Sequence, residues 1–275
     1  MKKVMHSPRY DDMLVKYGSD IMRAWPHANY LWRVLGEVVS SHVANIKHPR
    51  IIDLGAGSGS LTKYLPTHAD LTLVDCSPIA CADLESLTRV RPNTKFVCSN
   101  LFSALGVIAS DFDVPTLQQA HQQKLRARQS QVQQSNTYCN NAADCNYANN
   151  KYDVVLSSWV YHNLTLAERT QYLFGAYRVL NTGGMIAFVD KFMPNSILKN
   201  IDEYNALLNR INSNVSEPAR SRIIAHERED YSMCIHETEI TARLAKQFSN
   251  VTTHKRIGRD VVLTAIQDSR LGDCE

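Results

Sequence analysis

Apolar residues recur at helical spacing in the first forty residues. Met13, Leu14, Tyr17, Ile21 and Met22 share one stripe, Pro26 interrupts it, and Tyr30, Leu31, Val34, Leu35, Val38 and Val39 resume it. Two helices are therefore expected within 1–49, ahead of any strand, either packed on the flank of a sheet or closed over a cleft as a lid. From Arg50 the pattern changes to short apolar runs, at Ile51–Leu54, Leu71–Val74, Lys95–Cys98, Asp153–Ser158 and Met185–Val189, separated by helical stretches. Leu61 to Leu65 opens a crossover helix, Ser77-Pro78 starts another through about Leu87, and a third runs from Leu166 to Leu180 before N-T-G-G. Such alternation predicts an α/β fold with a doubly wound, mostly parallel sheet. Three further helices are expected near Ile197–Ile211, Glu217–Asp230 and Glu237–Phe248, and two last strands at Val251–Arg256 and Val261–Ile266 are joined by I-G-R-D as a hairpin. The prediction is one domain over 1–275, seven strands in all, with a helical insert at 193–248 between strands five and six.

One segment breaks the alternation. Between 103 and 150 the chain is rich in Gln and Asn, with few large apolar residues after Leu117. Such a tract cannot bury enough surface to offset its ordering entropy, so it reads as a solvated insertion. Composition adds limits. The chain has 275 residues and a formal charge of +3 with both signs dispersed, which demands neither nucleic acid nor an anionic membrane. Seven cysteines form no C-x-x-C pair and no Cys/His array at zinc spacing, so reduced thiols and no metal centre are expected. There is no secretory h-region and no apolar run of about 18 residues, which points to a cytoplasmic chain without a membrane span. Self-association into a homodimer stays open.

The chemistry starts at R-I-I-D-L-G-A-G-S-G-S-L-T, residues 50–62, where a strand, a tight turn and a helical pattern follow one another. Gly55 and Gly57 allow a sharp turn and close approach of a ligand, and Gly59 allows close helix–strand packing. A dinucleotide turn wants G-x-G-x-x-G/A, but Ser60 occupies the last place and Asp53 precedes the first glycine by two. A carboxylate there repels a pyrophosphate and attracts an ammonium or sulfonium. Asp75 ends the second strand about 20 residues on, the spacing at which a carboxylate meets ribose hydroxyls. Trp159, Tyr161 and His162 follow the fourth strand, where ligands of open α/β sheets lie. Trp159 and Tyr161 are candidates to wall a ligand; His162 is a candidate base or hydrogen-bond partner for an acceptor, or a satisfier of local backbone. H-E-R-E-D at 226 lacks the second His of a zinc-protease helix and reads as a charged helical face.

The D-x-G-x-G-x-G run resembles motif I of class I S-adenosylmethionine-dependent methyltransferases, and the chain from Arg50 to Phe192, apart from the insertion, is similar to that class throughout. The resemblance implies S-adenosyl-L-methionine as cofactor, S-adenosyl-L-homocysteine as product and methyl transfer to an acceptor, here expected to be a small molecule. It implies a cofactor cleft of Asp53, Gly55, Ala56, Gly57 and Gly59 from the first turn, and Asp75 with Cys76 from the second strand. Asn100 with Leu101 follows the third strand, where the class usually has Gly-Asp against the adenine, and Ser158 with Trp159 follows the fourth. The N-terminal Y-D…I…P…Y-L-W, the strand-five D-K-F and the later E-x-x-x-R-L-x-x-x-F resemble the carboxy-S-adenosylmethionine synthase branch, which acts in tRNA wobble-uridine modification. Arg210 sits near that branch's carboxylate-holding arginine, but the F-K-R-x-N-G-Y context is missing, which argues against the synthase activity. Candidates for acceptor contact are His162, Tyr161 and Arg210. An NAD-type oxidoreductase and a binding module that keeps the cleft without catalysis are the other classes compatible with the pattern.

Overall fold

The computed structural model describes residues 23, 25–107, 151–217 and 219–268. The expected first N-terminal helix and the polar tract from 108 to 150 lie outside them. The elements in chain order are α1 (Ala28–His42), β1 (Arg50–Leu54), β2 (Asp70–Asp75), α2 (Pro78–Val90), β3 (Thr94–Cys98) and α3 (Leu101–Ala104). After the tract come β4 (Tyr152–Ser158), α4 (Leu166–Val179), β5 (Leu180–Met193), α5 (Ile197–Asn214), α6 (Ala219–Met233), β6 (Ile235–His236), α7 (Glu237–Leu244), β7 (Phe248–Ile257) and β8 (Asp260–Gln267).

The sheet runs β3-β2-β1-β4-β5-β8-β7. Its first five strands are parallel, while β8 is antiparallel to both β5 and β7. Seven strands were expected; an eighth, two-residue strand, β6, adds to the end of β5 through Phe192 and Ile235. Ile51, Ile52 and Leu54 are buried because both faces of β1 are covered, the usual reason parallel strands read as unbroken apolar runs. One face packs Leu31, Leu35 and Val39 of α1 and Leu84 of α2. The other packs Tyr172, Leu173, Ala176 and Val179 of α4 with Ile240 and Leu244 of α7. A third cluster joins Trp25 and Ala28 to Leu207, Ile211 and Val215 of α5 and Ala219 and Ile223 of α6.

Local details depart from the pattern in three places. The crossover after β1 is one 3-10 turn, Thr62–Tyr64, instead of a full helix. The N-T-G-G run is absorbed into the start of β5, where the pairing with β4 shifts register between Tyr152 and Val154. Finally, the polar tract begins later than 103: Ala104, Leu105 and Val107 are core residues. A Cβ on Gly175 of α4 would lie 2.7 Å from Val107 and 2.9 Å from Leu105, so these residues seat the helix. Among the described residues no helix is long and apolar enough to cross a membrane.

Candidate active site

Strand register brings the carboxyl ends of β1, β2, β4 and β5 together, since Leu54 faces Val74 and Ser157, and Ser158 faces Val189. At that edge the glycine turn folds back on β2, with Gly55 and Ala56 N–H donating to the Val74 carbonyl at 2.8 and 2.9 Å. Asp75 then clamps the turn: its carboxylate accepts from Gly57 N–H and Ser77 N–H, both at 2.8 Å. Gly55, Gly57 and Gly59 all have φ between 55° and 79°, the left-handed region that glycine adopts freely. Their surroundings differ. A Cβ on Gly55 would lie 2.3 Å from Val160 Cγ2, and one on Gly59 2.7 Å from Leu87 of α2, whereas Gly57 has nothing within 4 Å. Gly59 thus serves helix packing as expected, Gly55 admits the turn after β4, and Gly57 is the position open to a ligand.

Asp53 is 1 % exposed, and neither carboxylate oxygen has a hydrogen-bond partner among the described residues. Burial, aided by the nearby charge of Asp75, pushes its pKa up to about 7. Cys76 and Ser158 are half-buried at the same rim, and Leu101 is buried. Ser158 Oγ accepts from the Trp32 indole at 2.8 Å. The Asn100 carbonyl, expected to face an adenine, accepts from Ser103 N–H at 2.9 Å as the N-cap of α3.

Trp159 has φ 52°, an unusual conformation for a bulky residue and one that needs support from its surroundings. The support is visible: its N–H donates to Val189 O at 2.7 Å, its indole donates to Asp260 at 2.7 Å, and Trp32 meets it edge-on at 5.3 Å. The next residues are gathered by Asp190, the last buried acid of β5, which accepts from the N–H groups of Val160, Tyr161 and His162 at 3.0, 2.7 and 3.2 Å. Tyr161 and His162, both expected to contact an acceptor, are thereby buried, at 0 % and 2 % exposure. The Tyr161 ring packs against Tyr172, Phe188 and Phe192 in the core and is fully buried.

His162 is 2 % exposed, with Nδ1 2.6 Å from Asp190 and Nε2 3.2 Å from Asp230. Burial opposes its charge, but the two carboxylates outweigh burial and raise the imidazole pKa. Both ring nitrogens face acceptors, so the ring is held as an imidazolium that donates twice. A base needs a free lone pair, and His162 has none to offer; it is a bridge.

The bridge belongs to a larger buried lattice that the sequence reading missed. Lys191 donates to Glu227 at 2.5 Å and Asp230 at 2.7 Å, and Arg259 donates to Glu227 at 2.8 Å. Glu227 and Asp230, read as part of a charged helical face, are fully buried. They continue the stripe of Ala219 and Ile223 at helical spacing, a signal available in the sequence but masked by the polarity of H-E-R-E-D. Lys191 and His162 hold the Asp230 carboxyl well below the usual range against the opposing effect of burial. His226, Glu227 and Asp230 place potential metal-ligand atoms within 4.8 Å of one another, but the two carboxylates are already committed to Lys191, Arg259 and His162. Asp260 completes the edge, bonded to His27 at 2.8 Å and to Trp159.

Beside this lattice is a cavity of about 210 Å³ between α5, the β7–β8 turn, Trp25 and Lys191. Arg210 lines it with Glu203 and Leu207 from one face of α5, opposite Arg259 and Asp260. Of the three residues expected at the acceptor, Arg210 lines this cavity, and Tyr161 and His162 are not part of its wall.

Residues 106–188 match the family described as a methyltransferase domain. That span begins beyond the glycine turn. No curated protein matches the chain in sequence. Among solved structures, the plantazolicin methyltransferase BpumL, in complex with a monoazolic desmethylPZN analog and SAH, is similar with a TM-score of 0.57 at 13% identity, over 95% of this chain and 91% of that one. The CurJ carbon methyltransferase is similar with a TM-score of 0.53 at 13% identity over 86% of this chain; the present chain covers 54% of its length. Human N-acetylserotonin methyltransferase, in complex with SAM, gives 0.50 at 14% identity over 96% of this chain and 61% of that one. The chain therefore has the Rossmann-like α/β methyltransferase fold.

Proposed function

We propose that the chain is an S-adenosylmethionine-dependent methyltransferase that transfers a methyl group in line to a small-molecule acceptor. The observation that carries the reading is the glycine turn, with the unpartnered carboxylate of Asp53 at its start, the open side of Gly57 in its middle and Asp75 clamping it. A buried carboxylate without a partner suits a ligand with a cationic end, and the matched methyltransferase domain and the similar structures with SAH or SAM support the same cofactor.

S-adenosylmethionine supplies an electrophilic methyl on a sulfonium, a leaving group that needs no acid. What remains for the protein is to align, to exclude water and to accept charge. Asp53 serves the ammonium end, Asp75 the ribose, Cys76, Asn100 and Leu101 the rim of the base, and Ser158 and Trp159 the wall toward the acceptor. Asp190 and His162 act through Trp159 and Val160, by fixing the turn that carries them. The acceptor occupies the cavity lined by Trp25, Leu207 and Arg210, with Arg210 in contact. Carboxy-S-adenosylmethionine synthesis is set aside because its arginine context is missing from α5. We place its action in the cytoplasm.

Calorimetry with S-adenosylhomocysteine tests the proposal: wild-type protein is expected to bind, and Asp75→Ala to bind more weakly by about 1.5–3 kcal/mol, the worth of charge-assisted bonds. No binding by the wild type sinks the reading.

A further inference from the structure

Resting on the methyltransferase reading, we infer that the cavity between α5 and the β7–β8 turn is a binding subsite for a small anion that also donates a hydrogen bond, a hydroxy- or amino-carboxylate. Several charges around the cavity already have partners. Lys191 is held by Glu227 and Asp230, and Asp260 by His27 and Trp159. Arg210 is different. It is half-buried, lines the cavity, and makes no hydrogen bond, ion pair or ring contact with any described residue. A guanidinium partly removed from water without a counter-charge carries a cost, and the planar fork is suited to a carboxylate.

A second arginine points the same way. Arg259 is 5 % exposed and lines the same cavity, and its Cζ lies 5.7 and 5.3 Å from the ring centres of Tyr204 and Tyr231. Its Nη2 is used on Glu227, while its buried Nη1 has no partner among the described residues, and the same holds for Arg210 Nε. Two unanswered guanidinium donors around one cavity call for an acceptor that brings negative charge.

Glu203 supplies the other half of the specificity. It lies seven residues before Arg210, with Leu207 between them on the same helix face, and all three line the cavity. One oxygen is 4.0 Å from the exposed Lys199; the other, Oε2, is buried without a hydrogen-bond partner. An anion alone would leave Glu203 unanswered, whereas a ligand that also carries a hydroxyl or amino group answers both. Trp25 and Leu207 offer that ligand an apolar wall. Since Asp260 lines the cavity and receives the Trp159 indole, the subsite adjoins the wall of the cofactor cleft.

The experiment uses the full chain saturated with S-adenosylhomocysteine and three probe acids, benzoate, 2-hydroxybenzoate and 2-aminobenzoate, each beside its carboxamide, with binding followed by ligand-observed NMR and calorimetry. The expected result is saturable binding of the acids, with the 2-hydroxy and 2-amino acids tighter than benzoate and each amide weaker than its acid by roughly tenfold or more. Arg210→Met should bring acid and amide to the same level and leave S-adenosylhomocysteine affinity within about twofold. Acids and amides that bind alike, or no acid that binds, overturn the subsite, and this comparison stands on the wild type even if the variant does not fold. Glu203→Met, which removes the acceptor oxygens, should abolish the preference for the 2-hydroxy and 2-amino acids over benzoate; retention of that preference overturns the donor half. Failure of S-adenosylhomocysteine to bind, read on the same samples, counts against the methyltransferase proposal instead.

Discussion

Asp53 has a folded pKa of about 7 against an ordinary 3.8, so between those values the folded state keeps a proton that the unfolded chain has released. Stability without cofactor therefore falls as pH rises through this window, and the loss is complete above about pH 7. Asp53→Asn should raise apo-protein stability at pH 8 by up to a few kcal/mol and have little effect at pH 4, while weakening S-adenosylhomocysteine binding. Denaturant melts at the two pH values read the first effect, and equal stabilisation at both would contradict it. His162 has the opposite logic: its folded pKa is raised by partners that want it charged. Its contribution is fully present below its unfolded pKa near 6.5 and is lost as pH rises through the higher folded value. His162→Ala should cost about 3–5 kcal/mol at pH 6, because it leaves Asp190 and Asp230 facing each other's charge, and less at higher pH. A variant of wild-type stability would return His162 to the role of a dispensable base.

At the scale of elements, most of the fold was legible because strand period and helix period differ. The five parallel strands, the terminal hairpin and the helices of the insert all lie within a few residues of their expected places. What the pattern missed was decided by tertiary partners. N-T-G-G looks like the end of a helix, but β4 recruits it into β5; H-E-R-E-D reads as a charged helical face, but Lys191 and Arg259 give its acids a reason to be buried. Likewise Tyr161 and His162 were placed at the right strand end, but the side they face depends on Asp190, 28 residues away. The glycine turn allows a clean test. Gly55→Ala should destabilise the protein, since its Cβ would meet Val160 at 2.3 Å, and Val160→Ala should restore part of the loss. Gly57→Ala meets no protein atom, so it should cost only about 1 kcal/mol for its positive φ yet impair cofactor binding. Melting curves and calorimetry on the same four proteins separate the effects; similar behaviour of the two glycines would remove the distinction.

Across the whole molecule two kinds of cohesion meet. The sheet is held by apolar layers on both faces, while α5, α6 and the segment from Trp25 rest on a smaller apolar cluster and on buried ion pairs. Few apolar contacts mean lower local stability. Amide exchange should be slowest in β1, β4, β5 and β8 and faster in α5 and α6, with S-adenosylhomocysteine slowing the turn at 55–59. Exchange as slow in α5 and α6 as in β4 would show that ions hold the cap as firmly as packing holds the sheet.

The ion-pair lattice also bears on how such a chain can change over generations. His27, His162, Asp190 with Lys191, Glu227 with Asp230, and Arg259 with Asp260 come from five distant stretches, and most of these residues answer another's charge. Drift at one position strands its partners, so tolerated changes should arrive as sets: a descendant with an apolar residue at 227 should also have lost the cation at 259, whereas Lys191 keeps Asp230. The same holds at the bench, where a chimera that transplants α5 and α6 from another chain must import residues 162, 191 and 259 with them, although none of the three belongs to the transplanted helices.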